Sequence, residues 1–276
     1  MKTTQLLIID AQNDFCDLST DNSYRPALPI PGAHQDCLRL AQLIDAKGAC
    51  FSSITATLDS HHPIDLAHYC NWLDADEQEV APFSQISAND VMTGRFRLKQ
   101  PLHSETVKHY LITYLQALEA LQRTLTLWPI HCEIGTIGHN LHPAISQALR
   151  QWETRTAKTI DFVYKGENIW TESYSALKAV LPYPGDSSTE FNQALLAQLL
   201  NCDELLIAGQ ASSHCVKETV LDLLRYGDQN AAKKLVLLTD CMSAVPGYES
   251  QVQQFFSSLR QHGVRLTTSA MLTKSC

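Results

Sequence analysis

The chain has 276 residues, of which 45% are hydrophobic, and this composition predicts a large buried core and argues against disorder or a fibrous repeat. Its 21 Lys and Arg residues are outnumbered by 29 Asp and Glu residues, which gives a net charge of -8. This charge argues against binding to nucleic acid or to an anionic membrane, and it favours a small neutral substrate. The N-terminal apolar run is too short for a signal peptide, no stretch could span a bilayer, and the nine scattered cysteines indicate reduced thiols in a cytoplasmic protein.

Short apolar runs with the length of buried strands alternate along the chain with segments of helical periodicity. The predicted strands are 6–9, 49–57, 124–128, 159–164, 204–208, 234–239 and 264–269, and the predicted helices are 33–47, 104–122, 191–200, 213–226 and 248–262. This alternation favours an α/β fold in which helices cover both faces of a parallel sheet. The polar stretch 74–100 is interpreted as an insertion, and we expect a single domain over 1–276.

Four of the predicted strands lead into polar side chains that can take part in chemistry. Asp10 follows the first strand, Asp59 the second and Lys165 the fourth, while the fifth leads through a short loop to Cys215. Ligands of open parallel sheets bind outside the carboxyl ends of the strands. These four side chains are therefore predicted to lie at one edge of the sheet.

Cys215 lies at the N-terminus of the predicted helix 213–226, where backbone N–H groups and the helix dipole favour a thiolate. A buried structural cysteine is the alternative for a cysteine at such a position. A nucleophilic thiol needs a proton acceptor and a nearby cation, which Asp10 and Lys165 could supply. The adjacent His214 should point in another direction, so a Cys–His dyad is not expected.

Three segments resemble the motifs of isochorismatase-like cysteine hydrolases. GQASSHCV at Gly209 to Val216 resembles their nucleophile loop, DAQNDF at Asp10 to Phe15 resembles their first-strand motif, and Tyr164 to Gly166 resembles their Lys-Gly strand end. The segments occur in the order found in the family. The resemblance implies a three-layer α/β/α fold with a central, mostly parallel six-stranded sheet.

The resemblance also implies a role for each of the matching residues. Asp10 would act as general base toward Cys215 and later as general acid toward the departing ammonia, with Lys165 stabilising the charges. The backbone N–H groups of Ala211 and Cys215 would form an oxyanion hole next to a cis peptide bond between Gln210 and Ala211. Gln210 is also predicted to contact the substrate.

A second group of residues predicts a divalent metal site. An Asp and a His two residues apart at a strand end, Asp59 and His61, suit a metal ion. The segment 127–143 resembles the Trp-Pro-x-His-Cys motif of nicotinamidases, whose His corresponds to His131. His68 is a further candidate ligand, although its spacing departs from the common pattern. Zinc is the preferred ion, with manganese or iron as alternatives.

The remaining polar groups near this segment are given other roles. His62 is expected in solvent or next to the ligands, and Cys132 has no ligand role. His139 and His142 are interpreted as surface residues at a helix start.

The resemblance to nicotinamidases implies hydrolysis of nicotinamide, or a related small carboxamide, to the acid and ammonia through a thioester. Phe15 and Trp128 occupy positions that would form an aromatic wall for the ring, although both could instead be core residues. The alternatives are another reaction of the family, on a carbamoyl or ureido amide or an isochorismate-type substrate, and a catalytically silent metal-binding or scaffold protein. Compared with compact nicotinamidases the chain carries extra segments near 74–123 and 168–188, and we expect a homo-oligomer.

Overall fold

The computed structural model describes residues 2–18 and 24–272. Within these ranges the strands are β1 (Thr4–Ile9), β2 (Phe51–Asp59), β3 (Trp72–Asp74), β4 (Gln85–Ile86), β5 (Phe96–Leu98), β6 (Leu125–Thr126), β7 (Asp161–Lys165), β8 (Glu204–Gly209), β9 (Leu235–Leu238) and β10 (Arg265–Thr267). The helices are α1 (Ala33–Lys47), α2 (Ala88–Met92), α3 (Glu105–Ala120), α4 (Pro143–Thr156), α5 (Gln193–Leu200), α6 (Cys215–Tyr226), α7 (Ala231–Lys234), α8 (Glu249–Gln261) and α9 (Ser269–Leu272).

Six parallel strands form the central sheet, in the order β10-β9-β8-β1-β2-β7. Successive side chains of the central strand β1 point to opposite faces, so Leu6 and Ile8 pack with α1 and α4, while Leu7 and Ile9 pack with α5, α6 and α8. Each such side chain contributes about 1.5–3 kcal/mol when it is fully buried. The predicted three-layer α/β/α fold with a six-stranded sheet is confirmed.

One sequence-based assignment of secondary structure is wrong, and one long helix was not assigned from sequence. The run 124–128 contains only the two-residue strand β6, which pairs antiparallel with β4 in a separate small sheet and is not part of the central sheet. Helix α4 was not among the predicted helices, although Pro143 at its first turn and the buried Ile145, Leu149 and Trp152 have helical spacing. A short apolar run does not reveal which sheet it will join.

The polar stretch 74–100 is folded and contributes to the core. Helix α2 begins with a capping box formed by Ser87 and Asp90, and Ile86 and Leu98 are buried in the same cluster as the apolar face of α3. Strand β4 pairs with β6, and the Leu127 N–H donates to the Ser84 carbonyl oxygen at 2.8 Å. This segment therefore helps to fix the chain immediately before Trp128.

The cysteines partly match the expectation of reduced thiols. Among residues 2–18 and 24–272, seven are free, namely Cys16, Cys37, Cys70, Cys132, Cys202, Cys215 and Cys241. Cys50, however, is disulfide-bonded, so the expectation is wrong at that position. None of the helices within residues 2–18 and 24–272 is both long and apolar enough to cross a membrane.

Candidate active site

The four polar side chains predicted at the strand ends come together in the structure. Asp10 follows β1, Asp59 ends β2, Lys165 ends β7, and Cys215 begins α6 directly after the loop that leaves β8. The strands β8, β1, β2 and β7 are parallel neighbours, so their carboxyl ends meet at one edge of the sheet. All four side chains are buried.

Lys165 is the cation at the centre of this group. Its Nζ lies 2.9 Å from Asp10 Oδ2, 2.9 Å from Asp59 Oδ1 and 3.5 Å from Cys215 Sγ, and it also donates to the Ser173 carbonyl oxygen at 3.1 Å. Burial alone would lower the pKa of this ammonium group, but the two carboxylates raise it well above its usual range. The surroundings of Lys165 therefore favour its charged form, and its Nζ contacts the other three side chains.

Asp10 is held in one orientation by strand β2. Its backbone N–H donates to the Thr57 carbonyl oxygen at 3.2 Å, and the Thr57 hydroxyl donates to Asp10 Oδ1 at 2.5 Å. Its backbone has a positive φ of 44°, which is uncommon for a residue with a side chain. Burial raises the pKa of Asp10, while the Lys165 ammonium opposes this effect. A carboxyl group with a raised pKa is suited to both accepting and returning a proton.

Cys215 is a buried thiol next to two carboxyl groups. One oxygen each of Asp10 and Asp59 and the Cys215 sulfur all lie within 4.8 Å of one another. Burial raises the pKa of Cys215 well above its usual range, and the Lys165 ammonium only partly opposes this. This direction is opposite to the lowered pKa expected from sequence, because burial and the neighbouring Asp10 and Asp59 carboxyl groups raise the pKa of the thiol. The thiol needs a base to remove its proton.

The loop between β8 and α6 contains the predicted cis peptide bond between Gln210 and Ala211. The Ala211 carbonyl oxygen accepts from the His214 and Val216 N–H groups at 3.0 and 3.1 Å. Among the described residues, the backbone hydrogen bonds of this loop use neither the Ala211 N–H nor the Cys215 N–H as a donor. Both residues line the same cavity.

Three buried imidazoles lie beside this group. The ligand nitrogens of His61, His68 and His131 lie within 4.8 Å of one another. Asp59 Oδ2 lies 3.1 Å from His61 Nε2 and 3.5 Å from His131 Nε2. Neither ring nitrogen of His68 has a hydrogen-bond partner among the described residues. Three imidazoles and a carboxylate form a donor set that zinc, manganese or iron can use, and the unpartnered His68 nitrogens fit such an ion.

Two of these imidazoles are oriented by a further hydrogen bond. His61 Nδ1 lies 2.8 Å from Asp65 Oδ2, and His131 Nδ1 lies 2.8 Å from the Pro129 carbonyl oxygen. An acceptor at Nδ1 fixes the ring of a metal-ligating histidine and leaves Nε2 for the ion. Asp65 was not among the residues predicted from sequence, although a carboxylate four residues after a candidate ligand was a usable signal.

The group opens onto a cavity of about 40 Å³ with mostly apolar walls. Phe15 and Trp128, both predicted as an aromatic wall, line this cavity together with Cys215, His61 and His131. Phe15 also lies beside the His131 ring, with 5.4 Å between the ring centroids. Aromatic side chains next to a nucleophile can pack against the flat face of a small ring.

Glu172 and Tyr174 also line the cavity, and neither was predicted from sequence. The Trp128 indole N–H lies 3.3 Å from both Glu172 Oε1 and the Tyr174 hydroxyl, and that hydroxyl donates to Glu172 Oε1. Burial raises the pKa of Glu172 to about 7, while the hydrogen bonds from Tyr174 and Trp128 oppose the rise. Both residues come from the stretch 168–188 that follows the Lys-Gly strand end.

Three sequence-based assignments do not match the positions in the structure. The Gln210 side chain is fully buried and does not line the cavity, because its amide bonds Asp36 and the Ser243 N–H instead. His139 and His142 are buried and not surface residues: His139 Nε2 lies 2.8 Å from the Ser60 hydroxyl, and His142 Nε2 lies 2.9 Å from His34 Nδ1. His62 is exposed, as expected.

Comparison of the sequence with known proteins finds relatives of one kind, although no protein-family model matches the chain. It is 32% identical over 148 residues to a nicotinamidase of Escherichia coli (strain K12), which covers 52% of this chain and 59% of that protein. It is 32% identical over 117 residues to a nicotinamidase/pyrazinamidase of Mycobacterium tuberculosis, which covers 42% of this chain and 53% of that protein. The matched region thus spans less than two thirds of each of these relatives.

Solved structures share the fold over nearly the whole chain. The yeast nicotinamidase bound to the inhibitor nicotinaldehyde has a TM-score of 0.64 and 19% identity, covering 96% of this chain and 100% of that one. A Pyrococcus horikoshii pyrazinamidase in complex with zinc has a TM-score of 0.53 and 16% identity, covering 96% and 98%. An isochorismatase-like hydrolase from Alkaliphilus metalliredigens has a TM-score of 0.53 and 13% identity, covering 98% and 96%.

The fold is therefore that of the isochorismatase-like α/β hydrolases. In sequence, about half of the chain is similar to proteins named nicotinamidase or nicotinamidase/pyrazinamidase.

Proposed function

We propose that this chain is a cysteine amidohydrolase that converts nicotinamide, or a closely related heteroaromatic carboxamide, into the corresponding acid and ammonia. The observation that carries the proposal is the burial of Asp10, Lys165 and Cys215 against one another at the wall of an aromatic cavity. The curated relatives named nicotinamidase support the same reaction class.

The first half of the reaction forms a thioester. Asp10 accepts the thiol proton as Cys215 Sγ attacks the carbonyl carbon of the amide. The carbonyl oxygen becomes an oxyanion that the Ala211 and Cys215 N–H groups stabilise. Asp10 then returns the proton to the nitrogen, the carbon–nitrogen bond breaks, and ammonia leaves. Lys165 compensates the negative charge throughout, since its Nζ is 2.9 Å from Asp10 and 3.5 Å from the sulfur.

The second half hydrolyses the thioester with water. Asp10, again a carboxylate, removes a proton from a water molecule that attacks the same carbonyl carbon. The same two N–H groups stabilise the second oxyanion. The carbon–sulfur bond then breaks, Cys215 recovers its proton from Asp10, and the acid is released, which restores the starting state.

Asp59, His61, His68 and His131 would hold a divalent metal ion, most simply zinc. When bound, the ion would supply a Lewis acid for a substrate heteroatom such as a ring nitrogen. Phe15 and Trp128 would bind the faces of the ring and exclude water from the carbonyl group. The ring is thereby oriented so that its carboxamide reaches Cys215.

An amide panel tests this function. We expect ammonia release from nicotinamide by the wild type after addition of zinc, manganese or iron, and loss of at least about a thousandfold in Cys215→Ala. Benzamide, which lacks the ring nitrogen but has the same shape, is the matched control substrate and should react more slowly. Wild-type rates in Cys215→Ala would refute the proposal. Release only from a ureido or carbamoyl substrate would replace it with the alternative reaction of the superfamily.

A further inference from the structure

A buried polar network lies behind the loop that carries Cys215, outside the cavity. Asp36, in the first turn of α1, accepts from Gln210 Nε2 at 3.0 Å and from the Ser243 hydroxyl at 2.6 Å through Oδ2. Its other oxygen accepts from an Arg39 N–H at 2.6 Å. The Ser243 N–H in turn donates to Gln210 Oε1 at 3.1 Å, so both ends of the Gln210 amide are fixed.

The network is closely packed and leaves little freedom to its members. Asp36 and Gln210 are both buried, and a Cβ built on Gly32 would come within 2.9 Å of the Ser243 hydroxyl. Burial raises the pKa of Asp36, while its hydrogen bonds to Ser243, Gln210 and Arg39 oppose the rise. A carboxylate is costly to bury unless its donors have fixed positions, so the arrangement favours one geometry.

The same elements also hold the backbone of the loop. The Ser212 N–H donates to the Ser243 carbonyl oxygen at 2.8 Å, and the Gln210 N–H donates to the Ile9 carbonyl oxygen at 2.7 Å. The Val245 N–H donates to the Ser213 hydroxyl at 3.1 Å. The loop is thus fixed by its backbone to β1 and the 241–245 segment, and by the Gln210 side chain to α1.

We propose that Asp36 is a positioning residue for the amidase reaction: through Gln210 and Ser243 it holds the Gln210–Cys215 loop so that the Ala211 and Cys215 N–H groups point at the substrate oxygen. The inference rests on the proposed function. Asp36 does not line the cavity, so it acts only through the loop. Because the oxyanion exists only in the transition state and intermediates, the network should affect kcat more than KM.

Two substitutions and a matched control test the inference. Asp36→Ala removes the acceptor, and Gln210→Met keeps the volume of the side chain but breaks the link. Each should lower kcat about ten- to a hundredfold with a much smaller change in KM. Asp36→Asn should retain most activity, since its oxygen can still accept from Gln210. Asp45→Ala, at an exposed carboxyl of the same helix outside the network, is the matched control and should leave kcat unchanged.

A double-mutant cycle and an aldehyde inhibitor provide readouts that a merely structural role would not change. Asp36→Ala combined with Gln210→Met should lose no more activity than Asp36→Ala alone, because Gln210 acts through the network that Asp36 holds. Nicotinaldehyde forms a thiohemiacetal when the Cys215 sulfur adds to its carbonyl carbon and the thiol proton is transferred, which places an oxygen in the oxyanion hole. Its inhibition constant should rise by the same factor as kcat falls.

The possible outcomes separate the two proposals. A wild type that releases no ammonia from the amide panel would refute the proposed function and this inference with it. An active wild type whose Gln210→Met and Asp36→Ala variants keep normal kcat and normal nicotinaldehyde inhibition would refute the inference alone. Additive losses in the double variant would also refute it, because they would show that Asp36 and Gln210 act independently. If Asp36→Ala fails to fold, Gln210→Met decides between these outcomes.

Discussion

Replacement of Glu172 by Gln should change how the stability of the protein depends on pH. Glu172 is a buried carboxyl in the cavity wall whose pKa is raised from 4.5 to about 7. The folded protein therefore holds this proton more tightly than the unfolded chain, and stability falls as pH rises from about 4.5 through about 7. A shift of this size corresponds to about 3 kcal/mol of lost stability above pH 7, since one pKa unit is worth about 1.4 kcal/mol.

Gln is nearly isosteric with Glu and does not ionise, and its oxygen can still accept from Tyr174 and Trp128. Glu172→Gln should therefore remove most of that pH dependence. Urea unfolding of both proteins between pH 4.5 and pH 8 measures the effect, with the exposed Glu190→Gln as the control. The expected result is a variant that gains stability over the wild type as pH rises. Parallel stability curves for Glu172→Gln and wild type would refute the argument from burial.

Two further substitutions test the charged centre and the imidazole cluster. Lys165→Met leaves two buried carboxyl groups without their cation. We expect the free energy of unfolding, measured in urea, to fall by about 3–5 kcal/mol, and kcat for ammonia release to fall strongly. A variant as stable and as active as the wild type would contradict this. Asp65→Asn weakens the acceptor that orients His61, so the affinity for zinc should fall about ten- to a hundredfold in a competition titration. The control is Asp76→Asn at an exposed carboxyl group, which should leave the affinity unchanged. Equal zinc affinity in Asp65→Asn and wild type would show that Asp65 does not orient a ligand.

The residues that follow the central strands could be predicted because topology alone brings them together. Asp10, Asp59, Lys165 and Cys215 needed only the strand assignments and the rule that parallel strands share a carboxyl edge. The predicted groups then lie in contact, with Lys165 joining them. Helix α1 was predicted with its observed bounds, because its apolar residues follow helical spacing between Gly32 and Gly48.

The properties that depend on surroundings could not be predicted from local pattern. Burial and the Asp10 and Asp59 carboxyl groups raise the pKa of Cys215, and none of these effects is visible in its local sequence. The direction of the Gln210 side chain depends on Asp36, which is 174 residues away in the chain. Glu172 reaches the cavity through an irregular segment whose path has no periodicity to interpret.

The most direct test of the central claim is mass spectrometry of the wild-type protein quenched in acid during turnover of nicotinamide. We predict a mass increase equal to one nicotinoyl group, located on the peptide that contains Cys215, because the acyl group is held as a thioester. The increase should be absent in Cys215→Ala, which should also release no ammonia. Full turnover by Cys215→Ala, with no acyl group on Cys215 of the wild type at any quench time, would contradict the account.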